Sequence, residues 1–225
     1  MTVLHLADEG EAADLAAFLS RLLHYDRAAA VRLQAAGTAL AVFGRPPSFE
    51  VLAVRAVRLA KPYEEGLDVT LDVTVSAGEL LEGVEETAAM AAVPAAVTGP
   101  PWAGVLPPRG GWEPARGLPA PDALRAMVGA AVAEFRRRTG ELPAERRTRA
   151  ELDRTGREIW SRTVGDTGLP VRAVHAAQSL GFLRPATAAR DTGLYSSGTW
   201  LRLRTPYGSI AVRRAGLGGL GLSVR

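Results

Sequence analysis

The chain has 225 residues, a formal net charge of +3, 47% hydrophobic and 23% charged residues, and no cysteine. These values are typical of a globular protein, and they exclude a disordered chain, a collagen, a disulfide scaffold and zinc sites that need cysteine. The length allows one large domain or two small ones of about 100 to 200 residues each.

The sequence has neither the pattern of a signal peptide nor that of a membrane-spanning helix. The first residues carry Asp8, Glu9 and Glu11 where a signal peptide would be apolar. The most apolar stretch, residues 88–97, contains Pro94 and is shorter than the ~20 residues that a membrane-spanning helix needs. We therefore expect a soluble, cytoplasmic protein with no membrane contact.

A stretch rich in proline and glycine divides the chain. Eight of the 15 prolines lie within residues 94–121. Because flexible linkers rarely carry residues such as Trp102 and Trp112, we expect this joint to be ordered against a domain surface. The predicted parts are an acidic α+β part (1–92), the Pro/Gly-rich joint (93–121) and a basic helical part with a C-terminal hairpin (122–225).

The charge changes sign across the joint. Residues 1–121 hold 9 basic and 15 acidic side chains, net −6, whereas residues 122–225 hold 18 and 9, net +9. Such asymmetry indicates that the halves attract each other or that the basic half meets an acidic partner. Lys61 is the only lysine in the chain, so the excess of arginine also fits a GC-rich coding sequence and does not by itself indicate phosphate recognition.

The first part has the pattern of a helix on an antiparallel sheet. Asp8 is placed to cap a helix whose apolar residues recur every three or four positions. Alternating and apolar runs then predict about four strands, of which residues 51–59 are central and residues 67–75 half exposed. The predicted elements in chain order are a helix from about residue 9 to 23, strands 31–34, 39–43, 51–59 and 67–75, and a short amphipathic helix within 79–86.

The acidic residues of this part do not form a catalytic pair. Asp68 and Asp72 share a strand face, but four strand residues span about 13 Å. A glycosidase pair needs about 5 to 9.5 Å, so we interpret both as solvated side chains. The acids of residues 79–86 either face water or dock arginines of the other half.

Three helices and a hairpin are predicted for the basic part. The helices cover about residues 121–140, 145–164 and 170–181, each with proline or glycine at an end. Thr205-Pro206-Tyr207-Gly208 has the residues of a type I turn. This loop pairs Arg204 with Ser209, Leu203 with Ile210, Leu201 with Val212, and Trp200 with Arg213, which allows a cation–π contact in the last pair.

Three helices followed by an arginine-lined hairpin is also the element order of a winged helix-turn-helix, in which a helix enters the major groove and the hairpin contacts phosphates. This order is not diagnostic. The hairpin equally well completes the sheet of the first part, and its arginines equally well pair with the acids of the first part.

The motifs for cofactors and metals are incomplete. Residues 216–221 match GxGxxG, but too few residues follow for the helix that binds a pyrophosphate. His5, His24 and His175 lack metal-ligand spacing, and we interpret His175 as a packed core residue. We therefore assign no catalytic residue, no cofactor and no metal. An enzyme of unassigned reaction remains an alternative that requires a pocket containing His175 or paired carboxylates.

The sequence favours a soluble, non-enzymatic binding protein whose arginine-rich C-terminal half contacts an acidic partner, nucleic acid first and an acidic protein surface second. The rival hypothesis is a protein–protein assembly module, such as a homo-oligomer, with internally neutralised charges and an apolar interface at Trp102, Val105, Leu106 and Trp112. Salt bridges from the arginines to residues 79–86, Asp68 or Asp72 would favour the rival. The candidate partner contacts are Arg146, Arg147, Arg149, Arg172, Trp200, Arg202, Arg204 and Arg213.

Overall fold

A computed structural model describes residues 2–63, 70–102, 104–185 and 189–214. Over these ranges the chain forms five α-helices and eleven β-strands. The helices are α1 (Glu9–Tyr25), α2 (Ala77–Glu82), α3 (Pro121–Gly140), α4 (Arg149–Trp160) and α5 (Val171–Ser179). The strands are β1 (Val3–His5), β2 (Ala30–Ala36), β3 (Ala39–Gly44), β4 (Leu52–Arg58), β5 (Thr70–Ser76), β6 (Val84–Glu85), β7 (Met90–Ala92), β8 (Glu113–Ala115), β9 (Gly193–Ser197), β10 (Trp200–Thr205) and β11 (Gly208–Arg213).

The α+β class is confirmed, with a helix packed on an antiparallel sheet in the first part. Asp8 caps α1 by accepting a hydrogen bond from the Glu11 amide at 2.8 Å, and Leu15, Phe18 and Leu22 of that helix are buried. Strand β4 is interior, as the apolar residues on both of its faces predict. Strand β5 is an edge strand and is half exposed.

One large antiparallel sheet runs through both halves of the chain. Its strand order is β5-β2-β3-β4-β11-β10-β9-β8, and a separate small sheet has the order β1-β7-β6. The halves meet where β11 pairs with β4, with Ile210 opposite Ala53 and Ser209 opposite Val54. We call this pairing of residues 52–54 with residues 209–211 the inter-half ladder.

The C-terminal hairpin has the predicted register. Leu203 lies opposite Ile210, Arg204 opposite Ser209, and Trp200 opposite Arg213. The Arg213 guanidinium lies over the Trp200 ring, 4.9 Å from its centroid, so the cation–π pair is also present.

The core lies between the sheet and the helices. Helix α1 contacts β4 and α5 contacts β11, while α3 packs on α4 and α5. The alternation along the strands directs Leu33, Val42, Leu203 and Ile210 into this core, where each has at most 1% of its surface exposed. In the part of the chain that the structure describes, the helices that contact the large sheet lie on its core face, so the other face is available to the joint and to solvent. We call it the outer face.

The joint packs on part of the outer face, as its tryptophans predict. Trp102 is 6% exposed, and its indole nitrogen donates to the Thr74 hydroxyl at 3.0 Å. It belongs to an apolar cluster with Phe43 and Val54 of the sheet, against which Val105 also packs. The joint therefore covers outer-face strands of the first half.

The second predicted helix of the basic part is too long. The structure has a short 3-10 turn at Ala144–Arg146 followed by α4, which begins after Thr148 and ends at Trp160. The Thr148 hydroxyl caps α4 by accepting a hydrogen bond from the Glu151 amide at 3.4 Å. After α4, Thr163 forms a bridge with Pro170.

The winged-helix interpretation is wrong. A wing is a free hairpin, whereas β10 and β11 are both interior strands of the large sheet. A recognition helix exposes the side chains that read bases, whereas five of the nine residues of α5 are buried, including Val174 and Ala177. The alternative, that the hairpin completes the sheet of the first half, is confirmed.

Across the described residues, none of the helices combines the length and the apolar character required to cross a membrane. Asp68 and residues 216–221 lie outside the described residues. The division into 1–92, 93–121 and 122–225 stays a prediction.

Candidate functional site

The eight candidate partner contacts do not form one surface. Trp200, Arg202, Arg204 and Arg213 lie on the outer face of the hairpin, because alternate strand residues share a face. Arg172 lies on α5, and its side chain lines a cavity of about 290 Å³ together with Trp200 and Arg213. The other three candidates lie at the start of α4 or in the turn just before it, and they are Arg146, Arg147 and Arg149.

The arginines before and within α4 are bonded to their own half of the chain. Arg146 pairs with Glu151 at 3.2 Å, and Arg149 lies 3.8 Å from Asp153. Arg147 donates to the backbone carbonyls of Gly140, the last residue of α3, and of Leu142 at 3.0 and 3.1 Å. These exposed contacts are those of an ordinary solvated surface.

The acids of the first half do not neutralise the candidate arginines in the ranges that the structure describes. Asp72 pairs instead with Arg32 of the neighbouring strand at 2.7 Å. No candidate arginine forms an ion pair with residues 79–86 there. The one candidate that meets an acid of the first half is Arg172, at 3.9 Å from Glu50.

Carboxylates within the basic half neutralise many of its arginines. Glu134 bonds Arg162 at 2.6 Å and Arg138 at 3.4 Å, and these hydrogen bonds lower the pKa of Glu134 to about 2. Glu158 bonds Arg138 at 2.8 Å, which also lowers the pKa of the Glu158 carboxyl. The net charge of this half is therefore not a measure of its free cations.

A cavity of about 590 Å³ opens on the outer face beside the hairpin. Strands β4, β9, β10 and β11, the hairpin turn and residues 190–193 enclose it. We call it the arginine pocket. Its lining includes Val54, Tyr195, Arg202, Arg204, Thr205 and Ser209.

Arg202 is the central cation of the arginine pocket. Its guanidinium lies over the Trp112 ring, 5.0 Å from the centroid, and its Nε is buried without a hydrogen-bond acceptor in the described part of the chain. Burial, followed by the charge of Arg204, lowers the pKa of Arg202. A guanidinium that is desolvated beside a second cation is in a costly environment, which a bound anion would relieve.

Arg204 supplies a second guanidinium at the same pocket. It is exposed and has no acidic partner among the residues described. Tyr195 lies directly across from Arg202 on β9 and adds an aromatic ring to the lining. The Thr205 hydroxyl is committed to the turn, because it donates to the Gly208 carbonyl at 3.1 Å.

The other two candidates on this face have structural partners. Arg213 stacks on Trp200 and donates a hydrogen bond to the Gly104 carbonyl, so it holds the joint against the sheet. Arg213 lines a separate, smaller cavity of about 290 Å³, so Arg202 and Arg204 are the predicted outer-face cations that line the arginine pocket. Sequence reasoning did not place Trp112 and Tyr195 at the site, because no local pattern links them to β10.

His175 is a packed aromatic residue, but it also lines a second cavity. Its ring stacks on Trp160 with the centroids 4.6 Å apart. Burial lowers the pKa of the His175 imidazole. Among the residues that the structure describes, no group of three or more His, Asp or Glu side chains could hold a metal ion.

Comparison with known proteins gives the family context. No curated protein and no solved structure matches the chain. Two family models do match it, and their boundary falls within the predicted joint. Residues 1–104 are similar to the family described as Domain of unknown function (DUF8010), and residues 107–217 to the family described as Domain of unknown function (DUF8185).

Proposed function

We propose that this chain is a binding protein that holds a phosphate-bearing ligand in the arginine pocket. The observation that carries the proposal is the Arg202 guanidinium, half-buried beside Arg204 with no acidic partner in the described ranges. A planar guanidinium fits a phosphate with two parallel hydrogen bonds, so two arginines at one cavity suit this group. A bound phosphate would also give the Arg202 guanidinium a negatively charged partner.

Single-stranded nucleic acid is the form of this ligand that we place first. Trp112 and Tyr195 lie next to the arginines, and aromatic rings beside a positive groove are the usual means of holding unpaired bases. The cavity of about 590 Å³ has the size of ordinary small-ligand sites, so it would take one nucleotide of a strand. Duplex recognition by a helix and a wing lacks support, because five of the nine residues of α5 are buried and the hairpin strands lie inside the large sheet.

The assembly hypothesis has less support. Its proposed interface was the apolar part of the joint, but Trp102 is buried, and Val105 and Leu106 pack against the chain's own sheet. An acidic protein surface remains the alternative source of negative charge for the arginine pocket.

Fluorescence anisotropy of a labelled single strand of about 12 nucleotides tests the proposal. We expect binding that weakens with salt between roughly 50 and 200 mM, with a slope near −0.7, because the pocket takes one nucleotide and each neutralised phosphate of a single strand contributes about −0.7. Arg202→Ala and Arg204→Ala should each weaken binding about tenfold, since each removes a charged hydrogen bond of about 1.5 kcal/mol or more.

Arg149→Ala is the matched control. It removes the same charge from a side chain that is 94% exposed in the helical layer, and we expect unchanged affinity. An equal loss in all three variants would mean that only net charge matters and would contradict the proposal. Binding of an acidic peptide with no binding of the oligonucleotide would replace nucleic acid with a protein partner.

A further inference from the structure

A second cavity, of about 830 Å³, lies on the helical side of the sheet. It is bounded by α4, α5, the end of α1 and the turn at Pro47–Phe49, and both halves of the chain contribute to it. Its volume falls in the range of about 300–1,000 Å³ that is typical of small-molecule sites. We call it the aromatic pocket.

Aromatic rings form one continuous wall of this pocket. The His175 ring is stacked on Trp160, and Phe49 meets His175 edge-on with the centroids 5.1 Å apart. Tyr25 meets Phe49 edge-on at 5.0 Å, and Phe135 lies 6.3 Å from Trp160. Such a wall offers ring faces and edges to a planar ligand.

Polar groups in the wall have no protein partner. In the described ranges, neither the His175 ring nor the Trp160 indole nitrogen forms a hydrogen bond. The Arg172 Nε is buried and also lacks an acceptor, since the nearest carboxylate oxygen, on the exposed Glu50, is 3.9 Å away. Buried polar groups are usually hydrogen-bonded, so the Arg172 Nε points to a bound ligand, and the nitrogens of His175 and Trp160 lie beside it in the wall.

The charges around the pocket favour an anion. Each of the three acids in its lining lies near an arginine, Glu158 at 2.8 Å from Arg138, Asp153 at 3.8 Å from Arg149, and the exposed Glu50 at 3.9 Å from Arg172. Arg157 at the rim is exposed and has no ion-pair partner among the residues that the structure describes. A ligand carboxylate or sulfonate could therefore pair with Arg157 and accept a hydrogen bond from Arg172.

We infer that the aromatic pocket binds a planar aromatic acid, with its ring against the Phe49–His175–Trp160 wall and its acidic group toward Arg157 and Arg172. This site lies across the sheet from the arginine pocket and takes a ligand of a different class. Gly156 borders the pocket, and a Cβ atom there would make ordinary contacts at 3.6 Å with the rings of both Phe135 and Trp160. A longer side chain at this position would occupy the ligand's space.

Titration with 8-anilinonaphthalene-1-sulfonate, an aromatic sulfonate whose fluorescence rises in apolar sites, tests the inference. We expect saturable binding to one site of the full chain. Gly156→Leu, which fills the pocket, and Arg157→Ala, which removes the rim cation, should each weaken binding about tenfold. The uncharged N-phenyl-1-naphthylamine should respond to Gly156→Leu alone.

Arg154→Ala is the control, since Arg154 lies on the same helix, is 65% exposed and is not part of the pocket. It should leave binding of both dyes unchanged. Unaltered binding by a Gly156→Leu variant with the wild-type circular dichroism spectrum would overturn the inference. If that variant does not fold, Arg157→Ala provides the test. Equal weakening of the binding of both dyes, or of neither, by Arg157→Ala would contradict the proposed pairing of the ligand's acidic group with Arg157.

Discussion

The two halves of the chain use their opposite charges in different ways. In the first half, Glu11 and Asp14 on α1 surround the buried guanidinium of Arg55 at 2.8 and 3.3 Å. In the second half, exposed arginines pair with carboxylates of neighbouring helices, as Arg162 does with Glu134. The difference teaches that the net charge of a segment does not predict where its cations lie.

The halves are joined by the inter-half ladder, by aromatic contacts such as that of Phe18 with Phe182, and by a partly buried ion cluster. Arg55 donates to the Tyr207 carbonyl of the hairpin turn at 2.8 Å, and Arg184 pairs with Asp14 at 2.5 Å. The guanidinium of Arg184 also lies 3.9 Å from the centre of the Tyr207 ring. The attraction predicted from the charge asymmetry is therefore local, and strand pairing and aromatic contacts also join the halves.

Replacing Arg55 should have the largest effect. Its side chain is 5% exposed, and Arg55→Met would leave the Glu11 and Asp14 carboxylates with less compensation. We expect the free energy of unfolding, from urea denaturation, to fall by about 3–5 kcal/mol. Arg58→Met is the control, because Arg58 also contacts Glu11 but is 71% exposed and should cost nothing measurable. Equal effects would contradict the distinction between buried and exposed pairs.

Ile210→Ala tests whether the halves unfold together. Ile210 is fully buried on the inter-half ladder, so its truncation should cost about 2–5 kcal/mol. Leu33→Ala in β2 of the first half is the matched variant. If the sheet is one cooperative unit, both variants should shift a single urea transition seen alike by circular dichroism and tryptophan fluorescence. Two transitions, of which each variant moves only one, would show that the halves are independent.

His175 should make the fold sensitive to acid. Burial lowers the pKa of its imidazole in the folded state, so the unfolded chain binds the proton more readily. Stability should therefore be complete above the unfolded-state pKa of about 6.5 and should fall as the pH drops below it. His175→Phe keeps the ring contacts and should reduce this loss in thermal melts between pH 7 and 5. His5→Phe should retain the wild-type dependence of stability on pH. If both variants had the same dependence, the loss of stability in acid could not be attributed to His175.

The smallest effect is expected in the exposed ion pairs of the basic half. Glu158 lies 2.8 Å from Arg138 and 3.6 Å from Arg162, but its side chain is 55% exposed. Glu158→Gln should leave Tm unchanged within error at physiological salt, because exposed pairs are screened and largely solvated. A loss comparable to that of Arg55→Met would remove the contrast between the halves.

Local sequence patterns predicted the helices and strands better than they predicted which strands pair with each other. The hairpin register followed from the turn residues 205–208 and the alternation around them. The pairing of Ala53 with Ile210 did not, because it joins residues far apart in the chain and no local signal encodes it. Strand β1 has three residues, which is too short to show alternation, and α4 was extended too far because residues 145–148 also fit a helical pattern.

The candidate site was predicted only in part, for a related reason. Arg202 and Arg149 look alike in sequence, since each is an arginine in a strongly basic half. The fold separates them, because Arg202 lies beneath a cavity against Trp112, whereas Arg149 is 94% exposed. His175 was correctly placed in a packed environment, but the aromatic pocket depends on Phe49 and Tyr25 of the other half.

The inter-half ladder also determines how the protein can be divided for laboratory work. The two family matches meet between residues 104 and 107, which would ordinarily suggest expressing each region as its own fragment. Such fragments would expose β4 on one piece and β11 on the other as long unpaired edges, and edges of this kind promote aggregation. Co-expression of both pieces in one cell, where each edge can find its partner, is therefore the rational way to dissect this chain.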